Sequence, residues 1–198
     1  MAFTQKLELR RLEEVQAGLG SYLRAHPHPG FKGGSPLLGP SFEVYSLPLD
    51  GIARMTGDVA IADRLVKTGN WQHQILLRKR AKAVALSSSR RDIRDSIRIA
   101  GLVVTPLAAK IERAVKWIDL NRPEDRTEVY FFIIPAFQIQ AFLLRAPDNE
   151  EVFVLLNPAK KGSMKENKLY TAGQFLAALK EATAVTGIAM KSRESQKF

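Results

Sequence analysis

Side chains able to do chemistry fall into a handful of short stretches of this 198-residue chain. The first is His26-Pro27-His28-Pro29. Two imidazoles two residues apart could open a metal site, but a metal needs three or four ligands, and no third histidine or carboxylate cluster stands nearby in sequence. The stretch reads as solvated linker, and no metal is assigned. The second is Trp71-x-His73, which holds the only histidine outside that linker. An imidazole titrates near neutrality and suits general acid or base work, with Asp50, Asp58 and Asp63 as orienting partners. No Gly-x-Ser-x-Gly elbow or other nucleophile signature accompanies it. A structural histidine within a hairpin is therefore preferred. The chemical alternative is a pocket lined by Trp71, His73, Gln138 and Gln140.

The other stretches are cationic. Arg78-Lys79-Arg80-Ala81-Lys82 places four charges in five residues. Ser87-Ser88-Ser89-Arg90-Arg91 precedes a helical turn in this reading, and hydroxyls and free amides beside two guanidinium groups suit a phosphate. The plainer alternative is a serine cap on a solvated turn, and Asp92 and Asp95 would repel an anion. Lys160-Lys161-Gly162-Ser163, with Lys165 and Lys168, forms a second basic loop. It lacks the upstream glycine of a phosphate-binding P-loop and reverses its Gly-Lys order. The expected anion-binding set is Arg78, Lys79, Arg80, Lys82, Arg90, Arg91, Lys160 and Lys161.

The charge of the whole chain follows these stretches. Its formal net charge is +10. Residues 64–98 carry 10 basic groups against 2 acids, and residues 160–198 carry 8 against 3. Such asymmetry creates a local positive potential that attracts polyanions, and it is equally the mark of a solvated surface. With no cysteine there is no disulfide framework, thiolate nucleophile or Cys-held metal. The longest apolar run, Val129–Phe137, falls short of the ~18 residues of a membrane span. The N-terminal residues carry acids and no apolar core of a signal peptide, so a cytoplasmic location is expected. No cofactor motif is found.

These side chains need elements to hold them. Residues 4–25 read as an amphipathic helix, with Leu7, Leu12, Val15, Leu19 and Leu23 at helical spacing. His26–Pro40, with four prolines and four glycines, reads as a loop or linker. Residues 41–190 then form a single α+β domain, followed by a polar tail at 191–198. Strands are expected near 42–47, 128–134, 137–145 and 151–157, where aromatic and β-branched residues concentrate. Pro147-Asp148-Asn149-Glu150 supplies a turn. Asp58–Lys67 reads as a short helix capped by Asp58. Trp71–Ser88 reads as a helix or as a hairpin with strands at 71–76 and 83–87 turning through Arg78–Lys82, and the hairpin is slightly preferred. A helix-turn-helix over Ile61–Arg78 is a poor match, because Gln72 stands where the second helix wants an apolar residue.

Two later helices are better specified. Thr105-Pro106 caps and opens one running to about 119, with Leu107, Ile111, Ala114, Val115 and Ile118 as its buried stripe. Thr171-x-x-Gln174 is a capping box opening the last, near 172–185, with Tyr170 and Phe175 as a hydrophobic staple. The fold class is α+β with a mainly antiparallel sheet, covered on both faces around Phe142 and Phe153 by helices or a second subunit.

Three functional readings follow, in this order. The first is a non-enzymatic protein that docks on nucleic acid or a ribonucleoprotein through basic segments 64–98 and 160–168. The second is a protein-interaction module, self-associating through the apolar sheet. The third is an enzyme or small-ligand binder with a pocket around Trp71 and His73.

Overall fold

Threonine hydroxyls fix where two of the helices begin, at Pro106 and at Ala172. The computed structural model describes residues 9–31, 34–48, 52, 60–88, 99–121, 127–159, 163–166 and 168–186. Three helices are present among them: α1 (Leu9–Ala25), α2 (Pro106–Asn121) and α3 (Ala172–Thr186). The strands are β1 (Leu37–Ser46), β2 (Val66–Leu77), β3 (Arg80–Ser88), β4 (Ile99–Val104), β5 (Glu128–Ile134), β6 (Ile139–Arg145), β7 (Glu151–Asn157) and β8 (Leu169–Thr171). They form one mostly antiparallel sheet in the order β4-β3-β2-β1-β5-β6-β7-β8. The protein is thus α+β. By their contacts the residues group into two units, Met1–Val44 with Lys67–Asp125 and Tyr45–Val66 with Arg126–Phe198.

In the first unit, β2 and β3 form an antiparallel hairpin and β4 pairs with β3. The hairpin reading of 71–88 is therefore the correct one. Gly69, at φ 72°, makes the irregular step in β2 that glycine tolerates without a Cβ clash, and regular pairing with β3 starts at the next residue, Asn70. One sheet face buries Ile75, Ala83 and Ala85 with Leu19 of α1 and Phe31. On the other, α2 packs against β3, and Gln74 Nε2 donates to the Ala108 carbonyl at 2.9 Å. Thr105 caps α2 as its sequence requires, its Oγ1 accepting from the Leu107 amide at 3.3 Å. The buried stripe of α2 is Ala108, Ile111, Ala114, Val115 and Ile118, with Leu107 only half-buried.

The second unit is built on aromatic packing. β5, β6, β7 and β8 form an antiparallel meander. Phe153 of β7 and Phe175 of α3 stack at 4.4 Å, and Phe132 meets both edge-on at 6.0 Å, geometries that match the ring quadrupoles. The capping box of α3 forms in both directions: Thr171 N donates to Gln174 Oε1 at 3.2 Å and Gln174 N donates to Thr171 Oγ1 at 3.4 Å. Tyr170 and Phe175, the expected staple, are both buried in this core. Phe142 and Phe153 are themselves fully buried within the chain.

Three local readings are corrected. The helix expected over 58–67 is only a 3-10 turn, Ile61–Arg64, and Val66 already begins β2. The turn is held from afar: the buried Glu151 carboxylate of β7 accepts the amides of Ile61 and Ala62, each at 2.8 Å. Asp58, its expected cap, lies outside the described residues. The strand expected from Phe137 starts at Ile139, because Pro135–Phe137 form a 3-10 turn that Gln138 closes at φ 56°. The strand expected over 42–47 begins earlier, at Leu37. Gln16 of α1 fixes that start, donating to Pro36 O at 3.1 Å and accepting from Leu38 N at 2.9 Å.

Candidate anion-binding hairpin

β2 and β3 pair as far as Leu77↔Arg80, with one register shift between Ile75 and Leu76 that leaves Lys82 without a facing residue, and the connection is two residues long, Arg78-Lys79. Of the two turn types that match the twist of the strands, type I′ has positive φ at both central residues. Arg78 has φ 51° and Lys79 φ 63°. Glycine and asparagine take this conformation most easily, whereas a residue with a longer side chain sets its Cβ against the backbone, at roughly 1–2 kcal/mol each. Two adjacent long cationic side chains therefore occupy strained positions at the tip. Arg78, Lys79, Arg80 and Lys82 are all exposed, with Ala81 half-buried between them.

One acid sits beside this cluster. Glu112 of α2 accepts from Lys116 Nζ at 2.9 Å and from the Ala81 amide at 3.4 Å. The hydrogen bond from Lys116 holds its carboxyl below the usual range; the Ala81 amide and the positive charge of Arg80 add to this, against a smaller opposing push from burial. Glu112 ties the base of the tip to α2 and offsets part of the local charge. The tip residues themselves point to solvent, where an anion can reach them.

The other expected anion ligands are not described: Arg90, Arg91, Lys160 and Lys161 lie outside the described residues. Ser87 and Ser88, expected ahead of a helical turn, instead end β3. Ser87 is 2% exposed, so its hydroxyl is closed to a phosphate.

That hydroxyl serves His73. The ring is fully buried, with Nε2 2.7 Å from Ser87 Oγ and Nδ1 2.9 Å from Ser41 Oγ. Burial pushes its pKa down to about 4, so at neutral pH the imidazole is uncharged, with one nitrogen donating and the other accepting. Both nitrogens are engaged and no substrate can reach them. Of the aspartates named as its partners, one is described. Asp63 receives Arg145 Nη1 at 2.8 Å, and Asp50 and Asp58 lie outside the described residues. Trp71 is half-buried on the same strand as His73, whereas Gln138 and Gln140 belong to the second unit, Gln138 just before β6 and Gln140 within it. Gln138 is exposed, its carbonyl accepting from Asn157 Nδ2 at 2.7 Å. Sequence reasoning missed Ser41 and Ser87 as the histidine's partners; they are separated from it by 32 and 14 residues, and only strand register joins them.

Among the described residues, no group of three His, Asp or Glu side chains converges to hold a metal. No described helix is long and apolar enough to cross a membrane. A shallow groove of about 570 Å³ between α1 and the start of β1, lined by Leu12, Glu13, Gln16, Ala17, Leu38 and Gly39, is mostly apolar. Among the described residues, the hairpin tip gathers four exposed cations within five positions, Arg78, Lys79, Arg80 and Lys82. Comparison of the chain with protein-family models, with curated proteins and with solved structures finds no match.

Proposed function

We propose that this protein is a non-enzymatic, cytoplasmic binder of a polyanion, nucleic acid or a ribonucleoprotein, and that it engages its partner through the β2–β3 hairpin tip. The observation that carries this reading is the conformation of Arg78 and Lys79. Backbone strain is retained where the side chains it displays serve something other than stability. The hairpin accepts that strain at two consecutive positions and sets a guanidinium and an ammonium at its apex. Arg78 and Arg80 suit bidentate contact with phosphate oxygens, while Lys79 and Lys82 act as point charges. Arg90, Arg91, Lys160 and Lys161 extend the same charge along the chain. Contacts of this kind neutralise phosphates and read bases little.

The test is binding of fluorescent oligonucleotides, followed by anisotropy across a salt series. Four phosphate contacts give a log–log slope of about −3.6 on duplex DNA. Reversing charge in Arg78→Glu/Lys79→Glu/Arg80→Glu should abolish binding while leaving the far-ultraviolet spectrum unchanged. Wild-type protein that does not bind at low salt, or binding that survives the reversal, would overturn the assignment to this tip.

A further inference from the structure

The hairpin tip has a neighbour in the same unit. Gln74, which pairs with Val84 across the hairpin, bonds the Ala108 carbonyl near the start of α2, whereas Glu112, one turn further on, accepts the Ala81 amide. α2 therefore runs along β3 towards the tip, and its remaining residues, 113–121, continue about 13 Å further on that course. Arg78 and Lys79 lie beyond Ala81 in the same direction, so the tip and the last turns of α2 project side by side. Residues 78–82 and α2 together carry seven Lys or Arg against two acids, Glu112 and Asp119, and the positive potential of the tip continues onto the helix.

The end of α2 mixes these cations with apolar groups. Its buried stripe closes at Ile118. Away from that stripe, Arg113, Lys116, Trp117 and Leu120 are surface neighbours at spacings of three and four. Arg113 and Lys116 are exposed, Trp117 is half-buried, and Leu120 is 81% exposed. Lys116 gives one hydrogen bond to Glu112, but its side chain is 70% exposed and an ammonium has three donors. Asp119 keeps one carboxylate oxygen buried, and the charges that follow α2 in sequence, Arg122, Glu124, Asp125 and Arg126, cancel. An indole edged by cations can meet a base and its phosphates together. Every base has a π-face, so such stacking tolerates any sequence. In a duplex those faces are stacked on one another and closed to a side chain, whereas an unpaired strand offers them.

We infer that the hairpin tip and the last turns of α2 form one surface for single-stranded nucleic acid, with phosphates on Arg78, Lys79, Arg80 and Lys116 and an unpaired base stacked on Trp117. The inference rests on the anion-binding reading of the tip and adds to it the class of partner and a stacking residue.

The chain has two tryptophans, so in Trp71→Phe the indole emission reports Trp117 alone. Titration of that protein with oligothymidylate should quench the emission. Anisotropy with labelled oligothymidylate and a labelled duplex of equal length should show the single strand bound roughly tenfold tighter at the same salt. Trp117→Ala should weaken single-strand binding roughly tenfold, and Trp117→Phe, which keeps a ring, should recover most of the loss. Lys116→Ala should make the single-strand salt slope shallower by about 0.7. Equal affinity for the two forms, unquenched emission, an unchanged slope in Lys116→Ala, or single-strand binding indifferent to Trp117→Ala would overturn the inference. If charge reversal at 78–80 still abolishes binding, the reading of the tip survives that failure. Wild-type protein that binds neither oligonucleotide at low salt overturns both. Should Trp117→Ala fail to fold, the quenching and the preference for the single strand decide.

Discussion

Replacing Arg78-Lys79 by Asn-Gly separates the two properties joined at the hairpin tip, its strain and its charge. Both residues hold positive φ, 51° and 63°, at roughly 1–2 kcal/mol for each non-glycine residue. Asn tolerates the first position and Gly has no penalty at the second, but Gly adds about 0.5–1 kcal/mol of unfolded-state entropy. The balance for Arg78→Asn/Lys79→Gly is a gain of about 1–2 kcal/mol. For a chain of this length that corresponds to a rise in Tm of about 2–8 °C. The same variant removes two cations, so the salt slope of oligonucleotide binding should become shallower by about 1.8. The control is Arg78→Ala/Lys79→Ala, which removes the charges but keeps a Cβ at both strained positions. It should lose binding to the same extent without the gain in stability. Urea unfolding and anisotropy on the three proteins are sufficient. Equal stability of the Asn-Gly and Ala-Ala variants would refute the strain, and wild-type affinity in the Asn-Gly variant would refute the tip as the binding site.

Two further outcomes follow from buried polar groups. His73 has a folded pKa of about 4, lowered by burial, against about 6.5 in the unfolded chain. The unfolded state therefore takes up the proton first as pH falls. The stability linked to His73 is complete above about pH 6.5 and is lost as pH falls towards 4, to a total of about 3 kcal/mol; urea unfolding from pH 4 to 7.5 should show this loss in wild type, and an equal loss in His73→Gln would disprove it. Glu151→Ala leaves the buried amides of Ile61 and Ala62 without their shared acceptor and should destabilise the protein by about 3 kcal/mol, whereas Glu151→Gln, which keeps one good acceptor, should cost about half as much. Equal stability of Glu151→Ala and wild type would show that the carboxylate does not hold this turn.

What was legible in the sequence was what is encoded locally. The Thr171-x-x-Gln174 box and the Thr105-Pro106 start each depend on side chains within three residues of the amides they serve. Alternating aromatic and branched residues marked β5, β6 and β7. The errors came where a distant group decides. Ile61–Arg64 has the composition of a short helix, but Glu151 accepts its first amides from 90 positions away and β2 takes the residues that follow. His73 could be singled out as the one histidine beyond the linker, yet its partners come from two other strands, so its role as a buried, neutral group could not be read. The basic run at 78–82 was plain as composition. That its first two residues would sit at positive φ depends on the register of the strands flanking them, which no local pattern states.

That register is where the core and the tip connect. Gln72, His73, Gln74 and Ser87 are all buried in β2 and β3, between α1 on one face and α2 on the other. A slip of one residue moves every side chain of a strand to the opposite face. It would carry His73 away from Ser41 and Ser87, and Gln74 away from the Ala108 carbonyl, leaving buried polar groups unpaired at about 1–3 kcal/mol each. An all-apolar β2 would carry a far smaller penalty for the same slip, because Val, Ile and Leu pack acceptably on either covered face. The amide nitrogen of Gln72, buried without a hydrogen-bond partner, shows that this polar core is not arranged for greatest stability. Its effect is to hold the register from Asn70↔Ser88 to Ile75↔Ala83, and with the shift that follows between Ile75 and Leu76 this sets Leu77↔Arg80 and leaves Arg78 and Lys79 at the apex. A slip of one residue would lengthen the connection to three residues, 77–79 or 78–80, and present a different set of side chains. The buried histidine thus acts on the proposed binding surface without touching it, by fixing which two residues the chain displays there.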